Sequence, residues 1–268
     1  LADARALVVR NRTQVRPPLL AHAPKLQVVG RLGVGLDNID MDACKARGIA
    51  VFPATGANDL SVAEYVITAA LVLLRRAWFA SAAVAAGQWP RTQLMGREAS
   101  GKRLGLVGYG AIARETAARA RALGMSIAAY DPYLPADSRH WDDVERATLE
   151  ALLATSDVVS LHVPLTDDTK NMIDAAALGR MKTDAILVNA ARGGVVDEQA
   201  LADALRAGRL GGAALDVFDK EPLDAATGAK FAGIPNLTPH IAGVTEESNV
   251  RVSAVTAAAV RRALGAGA

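Results

Sequence analysis

One junction constrains this chain more than any other. Arg103–Val107 (RLGLV) reads as a strand, runs directly into Gly108-Tyr109-Gly110-Ala111-Ile112-Ala113, and is followed by a helical pattern over residues 112–123. The first glycine permits a tight turn and the second lets the backbone approach a pyrophosphate. The small third residue, here Ala113, lets helix and strand pack closely. The helix N-terminus adds free N–H groups and a partial positive charge, with Ala111 and Ile112 in its first turn. The next strand, residues 126–130, ends at Asp131, about twenty residues after Gly110, where a carboxylate accepts hydrogen bonds from adenosine ribose hydroxyls and repels a 2′-phosphate. Pro132 and Tyr133 follow, with no Arg or Lys to receive that phosphate. The pattern therefore predicts NAD rather than NADP.

The same strand–helix rhythm continues downstream. Strands are expected over residues 158–162, 185–189, 212–215 and 237–238, with helical patterns over 149–153, 174–179, 198–207 and, last, 246–264. Alternating units of this length predict an α/β fold: a doubly wound parallel sheet of the Rossmann kind. Upstream the pattern is smaller. Short strands are expected over residues 4–9, 25–30 and 49–52, a short helix over 19–23 after Pro17-Pro18, and a Gly-rich loop over 31–40. A long helix is expected from an N-cap at Ser61, with Glu64 completing a capping box and Gly87 ending it. The expected division is a cofactor domain over residues 55–243 and a smaller, discontinuous substrate domain built from 1–54 and 244–268, with the active site in the cleft.

Composition narrows the function classes. The 268 residues are 51% hydrophobic and 22% charged, as in a globular protein. A net charge of +2 gives no global drive towards nucleic acid or membrane, and the apolar stretch Val66 to Leu74 stops at Arg75-Arg76, far short of a span. The single cysteine, Cys44, excludes an intrachain disulfide and a multi-cysteine zinc site. No metal is expected.

Three segments follow the last strands: Asn189-Ala190-Ala191-Arg192-Gly193-Gly194, Asp216-Val217-Phe218-Asp219-Lys220-Glu221-Pro222, and Thr238-Pro239-His240-Ile241-Ala242-Gly243. Ligands of open α/β sheets bind outside the carboxyl ends of strands, so all three point towards a ligand. Together with the glycine turn and NAARGGVVDEQAL, LDVFDKEPL and TPHIAG, they give the chain a strong resemblance to the D-isomer-specific 2-hydroxyacid dehydrogenases, from about Ala6 to Leu264. The resemblance implies a catalytic trio of Arg192, Glu221 and His240. It also implies Asp216 near the nicotinamide amide, and a cofactor groove lined by His162, Val163, Pro164, Thr169, Ala190, Ala191 and Gly243.

The chemistry of the three side chains agrees with those roles. Oxidising a 2-hydroxy acid removes a hydride from C2 and a proton from its oxygen, so the protein must supply positioning and a base. An imidazole, with an ordinary pKa of about 6.5, suits the base. A carboxylate such as Glu221 fixes its tautomer, and the planar fork of Arg192 matches the substrate carboxylate. Formate dehydrogenases of this superfamily carry Gln where this chain has Glu221. The Glu favours a substrate with a hydroxyl proton to remove.

The first 31 residues hold six cations, Arg5, Arg10, Arg12, Arg16, Lys25 and Arg31, against one acid, Asp3. This region resembles the sulfolactate and 3-phosphoglycerate dehydrogenase branch. The resemblance implies a second anionic group on the substrate, with Arg10, Arg12, Arg31, Val34, Gly35 and, across a homodimer, Arg91 in its recognition. The alternatives are 3-phosphoglycerate dehydrogenase, a glyoxylate or hydroxypyruvate reductase, and an NAD-sensing corepressor that makes no product. The expected partners are a small anionic hydroxy or keto acid and a second copy of the chain, in the cytoplasm. The resemblance begins part-way into the substrate domain, and no small-molecule-sensing domain is expected after the last helix.

Overall fold

Short runs rich in Val, Ile, Leu and Ala build most of two parallel sheets in this chain, whose computed structural model describes residues 1–234 and 236–265. Two units separate: Leu1–Ser61 with Gly243–Ala268, and Val62–Ala242. Residues 266–268 of the expected second segment lie outside the described residues.

The smaller unit begins with β1 (Ala6–Val9), α1 (Pro17–Ala21), β2 (Val28–Arg31), α2 (Met41–Ala46) and β3 (Ala50–Pro53). The strands are parallel in the order β1-β2-β3, with Val29 opposite Leu7 and Val51. Val9, Val15, Leu20, Leu26, Val29, Ile39 and Ile49 form its core. Pro17 and Pro18 start α1, as their fixed φ favours. The sequence reading missed α2, which has a visible start signal: the Asp40 carboxylate accepts from the Ala43 amide at 2.9 Å.

The larger unit holds most of α3 (Asp59–Arg75), then α4 (Ser81–Ala85), β4 (Arg103–Val107), α5 (Ala111–Ala122), β5 (Ser126–Tyr130), β6 (Glu145–Arg146), α6 (Leu149–Thr155), β7 (Val158–Leu161), α7 (Ala175–Arg180), β8 (Ile186–Asn189), α8 (Glu198–Arg206), β9 (Gly212–Leu215), α9 (Ala225–Gly228) and β10 (Asn236–Leu237). Its seven strands are all parallel, in the order β10-β9-β8-β7-β4-β5-β6. Side chains alternate between two cores, as the period of a strand dictates. Leu104 and Leu106 of β4 join Val66, Leu74, Ala113 and Ala117 on one face. Val107 of β4, with Val159 and Leu161 of β7, joins Leu152, Leu178 and Leu201 on the other. Burial on both faces explains why these strands read as continuous apolar runs.

The long helix departs from its sequence reading at both ends. It starts at Asp59, so Ser61 is not an N-cap. Ser61 is buried, with Oγ 3.1 Å from Thr245 Oγ1, and its Ser-x-x-Glu pattern loses to that tertiary contact. Nor does the helix run to Gly87. It stops at Arg75, where Arg76 and Trp78 take left-handed φ values of 51° and 66°, and Gly87 instead follows α4.

After β10 comes α10 (Glu246–Ala263), opened by a capping box between Thr245 and Ser248. It packs on β2 at Gly30, where a Cβ would meet Thr256 Cγ2 at 2.6 Å and Val260 Cγ2 at 2.7 Å. Residues 55–61, placed by sequence with the larger unit, belong to the smaller one. Ala54 and Ala57 pack with Val252, and Arg251 Nε donates to the Ala57 carbonyl at 2.9 Å.

Candidate active site

Strand order reverses between β4 and β7, which opens a crevice at their carboxyl ends. Gly108 follows β4 with φ 87°, and a Cβ there would meet the His162 carbonyl oxygen at 2.7 Å. Only glycine fits the close approach of these two loops. Gly110 faces open space, since a Cβ there would meet nothing within 4 Å. It leads into the twelve-residue helix α5 with no side chain capping its first turn. Ala111 is exposed and Ile112 half-buried at the same mouth. An open backbone cradle at a helix N-terminus fits a dinucleotide pyrophosphate.

Asp131, after β5, is held tightly. Its Oδ2 accepts from the Tyr109 amide at 2.9 Å, and Oδ1 from the Tyr133 and Leu134 amides at 2.9 and 3.1 Å. A carboxylate has about four acceptor positions, which leaves Oδ2 room for one further donor. A ribose hydroxyl would find one acceptor position there, on a fixed oxygen.

His162, Val163 and Pro164 follow β7. The His162 ring is half-buried, its Nε2 lies 3.0 Å from the buried Ser160 Oγ, and burial pushes its pKa down to about 4. The loop beyond is shaped by Thr169, whose hydroxyl donates to the Pro164 carbonyl at 2.6 Å and accepts from the Thr166 amide.

The other side of the sheet carries the trio. Asn189, buried at the end of β8, positions the Arg192 loop. Its Nδ2 donates to the Arg192 carbonyl at 2.9 Å and its Oδ1 accepts from the Ala191 amide. Ala190 and Ala191 are half-buried beside it, and Arg192 Nη1 donates to the Ala191 carbonyl at 2.7 Å. A Cβ on Gly193 would lie 1.9 Å from the Phe218 carbonyl oxygen, so this loop fits against the next only because residue 193 is glycine. After β9, the Phe218 amide donates to Glu221 Oε1 at 3.0 Å, and buried Glu198 accepts from the Asp219 amide.

Glu221 Oε2 lies 2.6 Å from His240 Nδ1. A carboxylate only accepts, so in the neutral ring Nδ1 is the nitrogen that carries the proton and Nε2 the one with the lone pair. The His240 side chain is 46% exposed and so open to a ligand. His240 has φ 56°, an uncommon conformation for a side chain with a Cβ, and Asp216 holds it there. The Asp216 carbonyl accepts from the His240 amide at 2.8 Å, and its 1%-exposed carboxylate accepts from Thr238 Oγ1, Ile241 N and Ala242 N at 2.6, 2.8 and 2.7 Å. The Gly243 carbonyl accepts from Ser248 Oγ at 2.8 Å.

The predicted substrate residues are less gathered. Arg10, Arg12 and Arg91 are exposed. Arg10 Nη2 reaches Asn249 Oδ1 at 3.5 Å, and buried Asn38 fixes the Arg10–Thr13 turn through both carbonyls. Arg31 donates to the carbonyls of Leu32 and Gly35 at 2.6 and 2.9 Å, so it shapes the loop that carries half-buried Val34 and Gly35. Asn189, Gly193, Thr238 and Glu198 escaped the sequence reading as site residues. Gly193, Thr238 and Glu198 do their work through contacts distant in the chain and Asn189 through its own loop, and only their place at strand ends or in the motifs signalled them.

Comparison with known proteins gives the family. Residues 67–242 match the family described as D-isomer specific 2-hydroxyacid dehydrogenase, NAD binding domain. The chain is 57% identical over 267 residues to the (S)-sulfolactate dehydrogenase of Chromohalobacter salexigens, covering 98% of this chain and 86% of that protein. It is 42% identical to the D-3-phosphoglycerate dehydrogenase of Mycobacterium tuberculosis over 98% of this chain but 49% of that one, so it spans about half of that longer relative. Among solved structures, D-lactate dehydrogenase from Aquifex aeolicus, complexed with NAD and lactic acid, superposes with a TM-score of 0.88 at 30% identity, covering 99% of this chain and 85% of the other.

Proposed function

The chain belongs to the D-isomer specific 2-hydroxyacid dehydrogenase family, and from that premise we propose that it interconverts a 2-hydroxy acid and its 2-keto acid, with a substrate of the (S)-sulfolactate type, anionic also at C3. The observation that carries the chemistry is the His240–Glu221 contact of 2.6 Å beside the Arg192 loop. NAD, when bound, supplies the ring carbon that accepts the hydride. The proton of the substrate hydroxyl goes to His240 Nε2 while the C2–H bond yields its electron pair as hydride. Glu221 keeps the Nδ1 proton in place and stabilises the imidazolium that results. Arg192 grips the substrate carboxylate with a planar guanidinium.

Gly108, Gly110, Ala111 and Ile112 would hold the pyrophosphate, Asp131 a ribose hydroxyl, and His162, Val163, Pro164, Thr169, Ala190, Ala191, Asp216 and Gly243 the nicotinamide half. In this reading residues 55–243 serve the cofactor, and residues 1–54 and 244–268 serve the substrate through Arg10, Arg12, Arg31, Val34 and Gly35. The enzyme works as a homodimer, with Arg91 reaching the second copy, in the cytoplasm, where the reaction has its NAD supply. Support for the dimer comes from Trp78, Trp89 and Met95, each at least 75% exposed in one stretch of chain.

The test is an NADH absorbance assay with sulfolactate, 3-phosphoglycerate, D-lactate and glycerate. Sulfolactate is expected to give the highest kcat/KM; a higher value with 3-phosphoglycerate would transfer the assignment to that substrate. Arg10→Ala and Arg12→Ala are expected to raise KM for the favoured dianion by about tenfold or more and to leave D-lactate little affected. Equal effects on both would remove these arginines from the substrate site.

A further inference from the structure

Tyr65 lies on α3, between the apolar positions that pack that helix, and none of the motifs includes it. Its hydroxyl is 2.5 Å from Thr238 Oγ1, which in turn is 2.6 Å from Asp216 Oδ1. The direction of this chain of bonds is forced. The Asp216 carboxylate only accepts, so the single Thr238 hydroxyl proton points at Asp216. Thr238 Oγ1 then has only lone pairs left for Tyr65, and the phenol must be the donor. All three groups lie in one compact unit with His240 and Glu221.

We infer that Tyr65 is a positioning residue for His240, acting through the Thr238 hydroxyl and the Asp216 carboxylate. This rests on the assignment of His240 as the acid–base group. Asp216 receives the Ile241 and Ala242 amides on its carboxylate and the His240 amide on its carbonyl, so it is the post around which the left-handed His240 turn is wrapped. The Thr238 hydroxyl is oriented by the proton it gives to Asp216, and the Tyr65 proton, received on a lone pair, reinforces that aim at Oδ1. Burial, together with the nearby Asp216 charge, pushes the Tyr65 phenol pKa up against the opposing Thr238 bond, so it remains a donor throughout the working range. A tyrosine needed only for packing would not require the oxygen.

Tyr65→Phe, which keeps the ring, tests this in the intact enzyme. Expected is a fall in kcat of about three- to tenfold, with substrate KM and the NADH Kd from fluorescence titration within about twofold of wild type. Thr238→Val should cost kcat about ten- to a hundredfold. Adding Tyr65→Phe to it should cost nothing further, because both act on one path. Thr238→Ser should recover most of what Thr238→Val loses. A wild-type kcat in Tyr65→Phe, losses that multiply in the double variant, or a kcat loss matched by weaker NADH binding would overturn the inference. His240→Ala separates its failure from that of the parent reading. Turnover in His240→Ala sinks the acid–base assignment itself, whereas an inactive His240→Ala beside a fully active Tyr65→Phe sinks only the relay.

Discussion

Two histidines stand at the carboxyl ends of one parallel sheet and are built for different work. His162 follows β7, beside the glycine cradle. It is half-buried, its Nε2 meets the neutral Ser160 hydroxyl, and burial drives its pKa down to about 4. His240 follows β10. It is nearly half exposed and is gripped by an ionisable carboxylate, Glu221, whose other oxygen is fixed by the Phe218 amide. A ring whose charged form is disfavoured by burial suits a groove wall better than a proton shuttle. A ring whose Nδ1 is held by a carboxylate, in a side chain nearly half exposed, suits the shuttle. The difference lies in neighbours, not residue type: in the proposed reading the β4–β5–β7 side of the sheet is the holding side and the β8–β9–β10 side the reacting one.

This contrast is best broken by variants that should separate binding from turnover. The largest effect belongs to His240→Ala, which should lower kcat by about 10²–10⁴-fold while NADH titration shows binding retained. Lost NADH affinity would place His240 on the holding side. Glu221→Gln keeps the shape and removes the charge. A kcat drop of about ten- to a hundredfold in single-substrate assays is expected, and a smaller loss than from Asp131→Ala would mean the carboxylate only shapes the loop. Asp131→Ala should act in the opposite column, weakening NAD by about tenfold and narrowing its preference over NADP, with kcat at saturation little changed.

The smallest effect concerns His162 and pH. Its folded pKa of about 4 lies below the ordinary 6.5, so as pH falls through that interval the unfolded chain binds a proton that the native one refuses. Stability should therefore decline between about pH 6.5 and about pH 4, and His162→Gln should flatten part of that slope in urea unfolding at pH 7 and pH 5. An unaltered slope would mean His162 is solvated and no different in kind from His240.

The holding side is largely legible in the sequence. β4 and β5 fall where the apolar runs predict them, because their interiors are continuously apolar and buried on both faces. The glycine turn and Asp131 were readable because close backbone approach and ribose recognition each impose a residue type at a fixed spacing. The reacting side was legible only as three suggestive segments and a family resemblance. Asn189, Gly193 and Thr238 stood inside those segments with no role of their own until their partners were visible. Local signals also misled: Ser61 and Glu64 have the spacing of a helix start, yet Ser61 is buried against Thr245, far away in sequence.

By itself the order of residues determined the parallel α/β sheet, the dinucleotide turn and the chemical types available to the site, since burial periodicity and glycine's freedom act over a few neighbouring positions. Which carboxylate meets which imidazole, and that a helix near residue 65 reaches the turn at residue 240 through one threonine, was decided by tertiary structure alone. Hydrogen bonds reach about 3 Å, and residues so distant in the chain come within that reach only when the whole sheet has formed.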